Sequence, residues 1–237
     1  MSQQPPDDLV LRRLASIRER VGRAAQRAGR DPDGVRLLAV TKGHPAGAIE
    51  AAVSLGLRDI GESRVQEARA KRAAIQLPGV CWHMIGHLQR NKATQAAALF
   101  DVVQSVDSPA LARALARHRD ASAPRLQVFI EVELTGLPGR TGVPASDAAD
   151  LLNVVLGLTV LEPVGLMTIA PAGGVEAAGR CFARLRAIRD ALRESHGVAL
   201  DELSMGMSDD FDVAIAHGAT LIRLGRALFG ERPGGGP

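Results

Sequence analysis

The sequence contains no tyrosine, a single tryptophan and five phenylalanines, so aromatic residues make up only 3% of the chain. Proteins that bind single-stranded nucleic acid stack the bases on aromatic side chains, and this composition supplies no such set of platforms. The formal charge is +3 and the isoelectric point is about 9.4. Since the arginines are scattered over predicted helix faces rather than gathered in one block, we expect a solvated surface and no nucleic-acid partner.

Cysteine and long apolar runs are also scarce. The two cysteines, Cys81 and Cys181, lie far apart in apolar surroundings without paired spacing, which is typical of a reduced cytosolic protein. No apolar stretch approaches the ~18 residues that a membrane span needs. The first residues are polar and acidic and lack the features of a secretory signal. The sequence therefore predicts a soluble, cytoplasmic protein that does not associate with membranes.

Short apolar runs alternate with helical patterns along most of the 237 residues. After a first helix from about Leu9 to Ala28, the predicted strands are Leu37–Val40, Arg58–Ile60, Trp82–Ile85, Val102–Val106, Leu126–Val132, Leu161–Met167, Glu202–Met205 and Leu221–Leu224. The predicted helices between them are Ala46–Leu55, Glu62–Ile75, Pro109–His118, Ser146–Val155, Val175–Ser195 and Asp209–His217.

Eight strands with intervening helices predict an α/β fold, a single (β/α)8 TIM barrel, with flexible tails at about residues 1–8 and 231–237. An open doubly wound sheet is the alternative. It would usually carry a Gly-x-Gly-x-x-Gly turn after the first strand, where this chain has Thr41-Lys42-Gly43-His44-Pro45.

Polar residues follow the predicted strands. In a barrel the C-terminal ends of the strands converge on one face, which carries the active site. The polar positions expected on this rim are Lys42, Glu62, Gly86, His87, Ser105, Asp107, Glu133, Thr168, Ser204 to Ser208 and Arg223 to Gly225. Polar residues gather at many strand-to-helix junctions, so the rim pattern alone leaves the chemistry open.

Two features of this rim suggest a specific ligand. Lys42 follows the first strand, where a barrel enzyme can place an amine that forms a Schiff base. Towards the C-terminal end of the chain, Ser208 and Gly225 precede predicted helices and can form a phosphate-binding cup. Ser208 can donate to a phosphate oxygen, and Gly225 permits close approach of the backbone. An amine and a phosphate cup together suggest pyridoxal 5′-phosphate (PLP).

Six segments resemble the pyridoxal phosphate homeostasis proteins (the YggS/PROSC family). They are Val40 to Lys42, Gly61 to Glu67, Trp82 to Lys92, Gly165 to Thr168, Leu203 to Asp210 and Arg223 to Gly230. The resemblance spans roughly residues 35–232, and it implies a barrel similar to the N-terminal domain of alanine racemase. It also implies a PLP-binding protein of vitamin B6 homeostasis without established turnover, which supplies or buffers the cofactor.

The resemblance implies roles for individual residues. Lys42 would hold PLP covalently as an internal aldimine, and Arg223 would face the pyridine nitrogen. Ser208, Gly225 and the backbone of Arg226 would hold the phosphate. Three further residues are expected to line or approach the pocket: Met167, Met207 and His87.

The same residues favour a carrier over an enzyme. PLP enzymes that need a strong electron sink keep the ring nitrogen protonated, commonly with a carboxylate opposite it, and an arginine cannot accept that proton. Racemisation also needs an acid or base on each face of the substrate, and the opposite group in alanine racemase is a tyrosine from a second domain. A weak PLP-dependent amino-acid racemase therefore remains the alternative, with an aldolase-like enzyme of phosphorylated sugars as a third hypothesis.

The remaining expectations concern metals and partners. His83 and His87 are four residues apart, but the first lies in a predicted strand, so we expect a hydrogen-bonded residue of the barrel core at His83 and no metal site. The expected partners are PLP and apo PLP-dependent enzymes, and the protein is expected to be a monomer. The sequence leaves open whether another lysine, such as Lys92, binds a second PLP.

Overall fold

A computed structural model describes residues 6–232 of the chain. The strands are β1 (Arg36–Val40), β2 (Asp59–Glu62), β3 (Cys81–Met84), β4 (Val102–Val106), β5 (Leu126–Glu133), β6 (Val143–Pro144), β7 (Leu161–Met167), β8 (Glu202–Ser204) and β9 (Leu221–Leu224). The helices are α1 (Pro6–Arg27), α2 (Gly47–Ser54), α3 (Val65–Ala74), α4 (Ala93–Leu99), α5 (Pro109–His118), α6 (Ala148–Leu156), α7 (Val175–His196), α8 (Phe211–Ala216) and α9 (Arg226–Phe229).

The strands form one closed parallel barrel. Their order is β4–β3–β2–β1–β9–β8–β7–β5, and a pairing between β4 and β5 closes the ring of eight. The two-residue β6 pairs only with the end of β5, where Val132 lies opposite Val143, and it does not join the ring. The predicted TIM barrel is therefore confirmed, and an open doubly wound sheet is excluded.

Local sequence signals explain where individual elements begin and end. Ser108 caps α5 by accepting a hydrogen bond from the Leu111 backbone N–H at 3.4 Å, and Pro109 occupies the first turn, where a missing N–H costs nothing. Gly197 ends α7 in a left-handed conformation with φ of 60°. Boundaries marked in this way were predicted to within one residue.

The core has two parts, which follow from the alternation of side chains along a strand. Most buried apolar residues lie between the barrel and its helices. A smaller apolar cluster fills part of the barrel interior, and its buried members are Leu38, Val40, Val102, Phe129, Met167 and Leu221. Polar residues that alternate with the outer-layer positions also point inward, and these include His83, Gln104, Glu131, Ser204 and Arg223.

The structure differs from the predicted elements in a few places. The helix α1 begins at Pro6, before the predicted start at about Leu9, and most of the two predicted tails falls in residues 1–5 and 233–237, which lie outside the described residues. The helix α4 and the short β6 were not predicted. Within residues 6–232, no helix combines the length and the apolar character that crossing a membrane requires.

Candidate functional site at the C-terminal mouth of the barrel

Lys42 lies two residues beyond the end of β1 and is half-buried. Its pKa is lowered chiefly by burial and then by the positive charges of Arg232 and Arg223, while Glu62 and Glu67 act in the opposite direction. The Lys42 amine makes no hydrogen bond to any residue within 6–232. The result is an amine that is available for chemistry and has a larger neutral fraction than an ordinary lysine.

A buried ionic cluster fixes the backbone on both sides of this amine. Lys71 Nζ donates to the Thr41 carbonyl, to Glu62 Oε1 and to Glu67 Oε1, each at 2.7 Å. Thr41 Oγ1 donates to Glu62 Oε1 at 2.5 Å, and the Gly43 backbone N–H donates to Glu67 Oε1 at 2.6 Å. We call these five residues the Lys71 cluster. Because it binds both neighbours of the amine, it sets the direction in which the Lys42 side chain leaves the strand.

Arg223 is a buried cation on β9, the strand next to β1. Its Nη1 donates to the carbonyl and to Oγ of Ser204, and its Nη2 donates to the Thr168 carbonyl, all at 2.8 Å. Burial lowers the pKa of Arg223 to about 10, although Asp210 and Glu131 oppose the shift. The guanidinium therefore stays charged at neutral pH, and its Nε forms no hydrogen bond within the described part of the chain.

The loops after β8 and β9 meet where the phosphate cup was predicted. Ser208 Oγ accepts a hydrogen bond from the Ala227 backbone N–H at 3.1 Å, so it joins the β8 loop to the first turn of α9. Gly225 precedes that helix, and a Cβ there would lie 3.3 Å from the Val40 carbonyl at the end of β1. Three strand ends thus converge on this point, and Gly225 allows their close approach.

The other residues expected at the site lie at different depths. Met167 ends β7 and is fully buried inside the barrel, whereas Met207 is 38% exposed on the β8 loop. The Arg226 side chain is exposed and pairs with Asp209, so only its backbone faces the junction of the loops. His87 lies on the outer rim after β3, with its side chain half exposed and its Nδ1 3.3 Å from an oxygen of Asp107.

Glu131 is a buried acid in the barrel interior, and a candidate site residue, that the sequence analysis did not name. It is 3% exposed, its Oε1 accepts from Thr141 Oγ1 at 2.7 Å, and its Oε2 has no partner among residues 6–232. Burial raises the pKa of Glu131, while the charges of Arg223 and His87 act to lower it. The predicted rim residue Glu133 instead binds the backbone of its own loop, accepting from the Thr135 N–H at 2.6 Å.

His83 is confirmed as a hydrogen-bonded residue of the barrel core. Its ring contacts Gln104 and Asp59 at 3.0 and 2.9 Å, and it is 1% exposed. His87 lies on the outer rim, so the two histidines do not share a ligand geometry.

Comparison with known proteins gives consistent results. The family model for the alanine racemase N-terminal domain matches residues 13–233. The pyridoxal phosphate homeostasis protein of Pseudomonas aeruginosa is 42% identical over 96% of this chain and 98% of its own length. The protein of the same name from Escherichia coli is 37% identical over 94% of this chain and 97% of its own length.

Solved structures show the same fold. PipY of Synechococcus elongatus with PLP bound is 40% identical, with a TM-score of 0.83 over 93% of this chain and 100% of that one. An alanine racemase from Clostridium difficile is 12% identical, with a TM-score of 0.74 over 95% of this chain and 57% of the racemase. At that identity the racemase supports the barrel fold alone.

Proposed function

The chain belongs to the alanine racemase N-terminal domain family and, within it, to the pyridoxal phosphate homeostasis proteins, and from this premise we propose that it binds PLP and buffers or supplies it. PipY, at 40% identity, has a structure with PLP bound. The proposal includes covalent attachment through Lys42, a cytoplasmic monomer, and delivery to apo PLP-dependent enzymes.

The proposal rests on the position of Lys42 and Arg223, which lie at the same end of two adjacent strands. β1 and β9 run side by side, with Leu38 opposite Arg223, so a free amine and an anchored cation share the same part of the mouth. Condensation of the Lys42 amine with the aldehyde of PLP would release one water and form the covalent link. The free Nε of Arg223 is a donor suited to the ring nitrogen.

The phosphate would be held at the junction of the β8 and β9 loops. Ser208, Gly225 and the Arg226 backbone lie there, and Met207 borders the same loop. His87 and Met167 would contact the ligand from the rim and from beneath. The amine of Lys42, the free Nε of Arg223 and the backbone at the loop junction together fit a ligand with an aldehyde, a ring nitrogen and a phosphate. The unpartnered Glu131 Oε2 is a further buried polar atom on the opposite side of the barrel.

Carriage fits this site better than turnover. When bound, PLP supplies an electron sink whose strength depends on a protonated ring nitrogen, and Arg223 can only donate there. The sequence contains no tyrosine to act as the second acid or base of a racemase. None of the relatives described above as homeostasis proteins carries a reaction in its name.

The sequence allows a sharp test of the lysine, because Lys42, Lys71 and Lys92 are its only lysines. We would incubate the protein with PLP, reduce with borohydride and map the adduct by peptide mass spectrometry. The wild type and Lys92→Met should carry one adduct on the Lys42 peptide, and Lys42→Met should carry none. An adduct on Lys92 in the wild type, or equal labelling of Lys42→Met, would contradict the assignment.

A second assay separates carriage from catalysis. The loaded protein should exchange the α-proton of L-alanine in D₂O no faster than an equal concentration of free PLP, as followed by NMR. It should also restore activity to an apo PLP-dependent enzyme, whereas reduced protein should not. Exchange well above the free-cofactor rate would favour the racemase alternative. A failure to bind PLP, with a phosphorylated sugar trapped on Lys42 instead, would favour the aldolase-like hypothesis.

A further inference from the structure

A continuous line of hydrogen bonds crosses the barrel interior beneath the mouth. Arg223 Nη1 lies 2.8 Å from Ser204 Oγ, which lies 2.6 Å from Gln104 Oε1. Gln104 Nε2 lies 3.0 Å from His83 Nδ1, and His83 Nε2 lies 2.9 Å from Asp59 Oδ1. The first four residues are at most 5% exposed, and we call the five residues the interior chain.

The donors of this chain all point the same way. Arginine can only donate, so the single Ser204 proton is free to go to the Gln104 carbonyl oxygen. The Gln104 amide then donates to His83 Nδ1, which leaves the histidine proton on Nε2, facing the Asp59 carboxylate. The chain therefore starts at a cation and ends at an anion, an arrangement in which each hydrogen bond polarises the next.

The two charged ends lie at opposite ends of the barrel. Arg223 is bound at the mouth, whereas Asp59 is the first residue of β2. At that N-terminal end Arg36 binds two carboxylates, Asp59 at 3.4 Å and Glu202 at 3.0 Å. Only Asp59 of these two is connected to the interior chain, because Glu202 accepts from Thr220 instead.

We propose that Ser204, Gln104, His83 and Asp59 are positioning residues that hold Arg223 with its Nε directed at the ring of the bound cofactor. The proposal rests on PLP binding as the function of the mouth. The Nη1 group is committed to Ser204 and the Nη2 group to the Thr168 carbonyl, which leaves Nε for the ligand. A charge at the far end of the barrel thereby influences the hydrogen bond at the cofactor nitrogen.

A metal site is the competing explanation for the lower end of the chain. Ligand atoms of Asp59, Cys81 and His83 all lie within 4.8 Å of one another. However, the His83 nitrogen that faces Asp59 is the one that carries the proton in the interior chain. The guanidinium of Arg36 already neutralises the Asp59 carboxylate from outside. The interior chain accounts for these contacts without a metal, and the Cys81 thiol is a further hydrogen-bond partner of Asp59 at its lower end.

Matched variants at the Asp59 end of the interior chain test that chain without altering any residue of the mouth. Asp59→Asn and Glu202→Gln each remove one carboxylate bound to Arg36, but only the first alters the interior chain. We would record side-chain ¹⁵N NMR signals of Arg223 and His83 in the protein without PLP, and the pyridine signal of ring-¹⁵N-labelled PLP in the loaded protein. Asp59→Asn should shift all three signals, while Glu202→Gln should leave them unchanged. Cys81→Ser keeps a hydrogen-bond donor beside Asp59 and should change the signals much less than Asp59→Asn does.

Gln104→Leu should have the larger effect, because it interrupts the chain between Ser204 and His83. We expect the dissociation constant for PLP to rise about tenfold, the equivalent of one hydrogen bond lost. Val102→Ala, an apolar change two residues away on the same strand, should lower stability without moving the pyridine signal. If Gln104→Leu does not fold, the Asp59→Asn comparison decides.

The outcomes separate this inference from the function on which it rests. Unchanged Arg223, His83 and pyridine signals in Asp59→Asn, with PLP still bound on Lys42, would overturn the interior chain alone. Equal shifts in Cys81→Ser, together with tight binding of added Zn²⁺, would overturn it in favour of a metal site. Absence of PLP binding by the wild type would refute the proposed function, and the signals without PLP would still report on the chain.

Discussion

Replacement of Lys71 by methionine is the perturbation for which the structure makes its clearest energetic prediction. The Lys71 side chain is 8% exposed, and its partner Glu62 is completely buried. Methionine fills a similar volume but removes all three hydrogen bonds of the ammonium group. Glu62 would then be a buried carboxylate with one remaining donor, Thr41, since its Oε2 has no partner within residues 6–232.

The expected cost follows from the uncompensated charge. Removing one member of a buried ion pair typically destabilises a protein by about 3–5 kcal/mol, whereas removing both charges costs far less. We therefore expect Lys71→Met to lose about 3–5 kcal/mol at pH 8 and the double variant Glu62→Gln/Lys71→Met to regain at least about 2 kcal/mol of it. Lys92→Met is the control, because the Lys92 side chain makes no hydrogen bond or ion pair within the described range, and it should change stability by less than about 0.5 kcal/mol.

The loss should also depend on pH in a defined direction. The pKa of Glu62 is raised by burial, and the hydrogen bond and charge of Lys71 oppose that rise. Without Lys71 the pKa rises further, so the folded state of the variant holds a proton that the unfolded state loses above its ordinary value of 4.5. The stability that Lys71→Met loses relative to the wild type is therefore largest above the pKa of Glu62 in the folded variant, and it shrinks as the pH falls towards 4.5.

Urea unfolding at pH 8 and pH 5.5 measures these differences. Circular dichroism and the fluorescence of Trp82, the only tryptophan, should give coincident transitions if the unfolding is two-state. A loss in Lys71→Met no larger than in Lys92→Met would refute the buried ion pair. A loss that grows at low pH would refute the reasoning about Glu62.

Two further predictions concern stability. Lys42→Met should stabilise the protein without PLP at pH 7, because the Lys42 pKa lies below its ordinary value of 10.5 in the folded state. The wild type therefore gains stability as the pH rises towards 10.5, and the advantage of the variant should shrink over that range. A difference in urea unfolding that stays constant with pH would contradict this. Gly165→Ala should lower the free energy of unfolding by about 3 kcal/mol, since its Cβ would lie 1.9 Å from the Glu202 carbonyl oxygen on β8. Gly22→Ala in α1, with open space around it, should raise it by about 0.5–1 kcal/mol in thermal unfolding. Similar effects at both glycines would contradict the packing.

The fold was predictable because its signals are local. Strands of a fully covered parallel sheet appear as short apolar runs, and helix caps such as Ser108 mark boundaries within the sequence itself. The α4 segment, Ala93–Leu99, carries four alanines and no capping side chain, so it offered neither a strong periodic pattern nor a start signal. The β6 segment has two residues and depends on β5 for its pairing, which no local pattern reveals.

The candidate site was predictable only at residues whose side-chain type suits a particular ligand group. Lys42, Ser208 and Gly225 stood out because an amine, a hydroxyl and a glycine at strand ends have recognisable uses. Gln104 was missed because its partner Ser204 is 100 residues away in sequence. Lys71 was missed for another reason: its pair with Glu67, four residues before it, is typical of a helix surface, and only the packing of α3 against β2 buries it.

One available signal was overlooked. Side chains alternate along a strand, so Gln104 shares the inward face with Val102, and Glu131 shares it with Phe129. A polar residue at such a position must be hydrogen-bonded or functional, because an unsatisfied polar group in a barrel interior is costly. Alternation alone does not exclude Glu133, which has the same parity as Glu131; only the structure shows that it lies at the end of β5 and binds its own loop.

The position of the buried ionic groups bears on how a carrier could release its ligand. The interior chain lies inside the barrel beneath the mouth, the Lys71 cluster lies between β2 and α3, and Met207 and the His87 side chain above them are exposed. The orientation of Arg223 is thus set from inside the barrel and that of Lys42 from the barrel wall, by buried contacts that are already in place. If the proposed function is right, a covalent link to Lys42 would hold the ligand, and its release would need water or a competing amine to attack the carbon bound to the Lys42 nitrogen, which frees that amine. Because burial lowers the pKa of Lys42, the freed amine has a larger neutral fraction than an ordinary lysine.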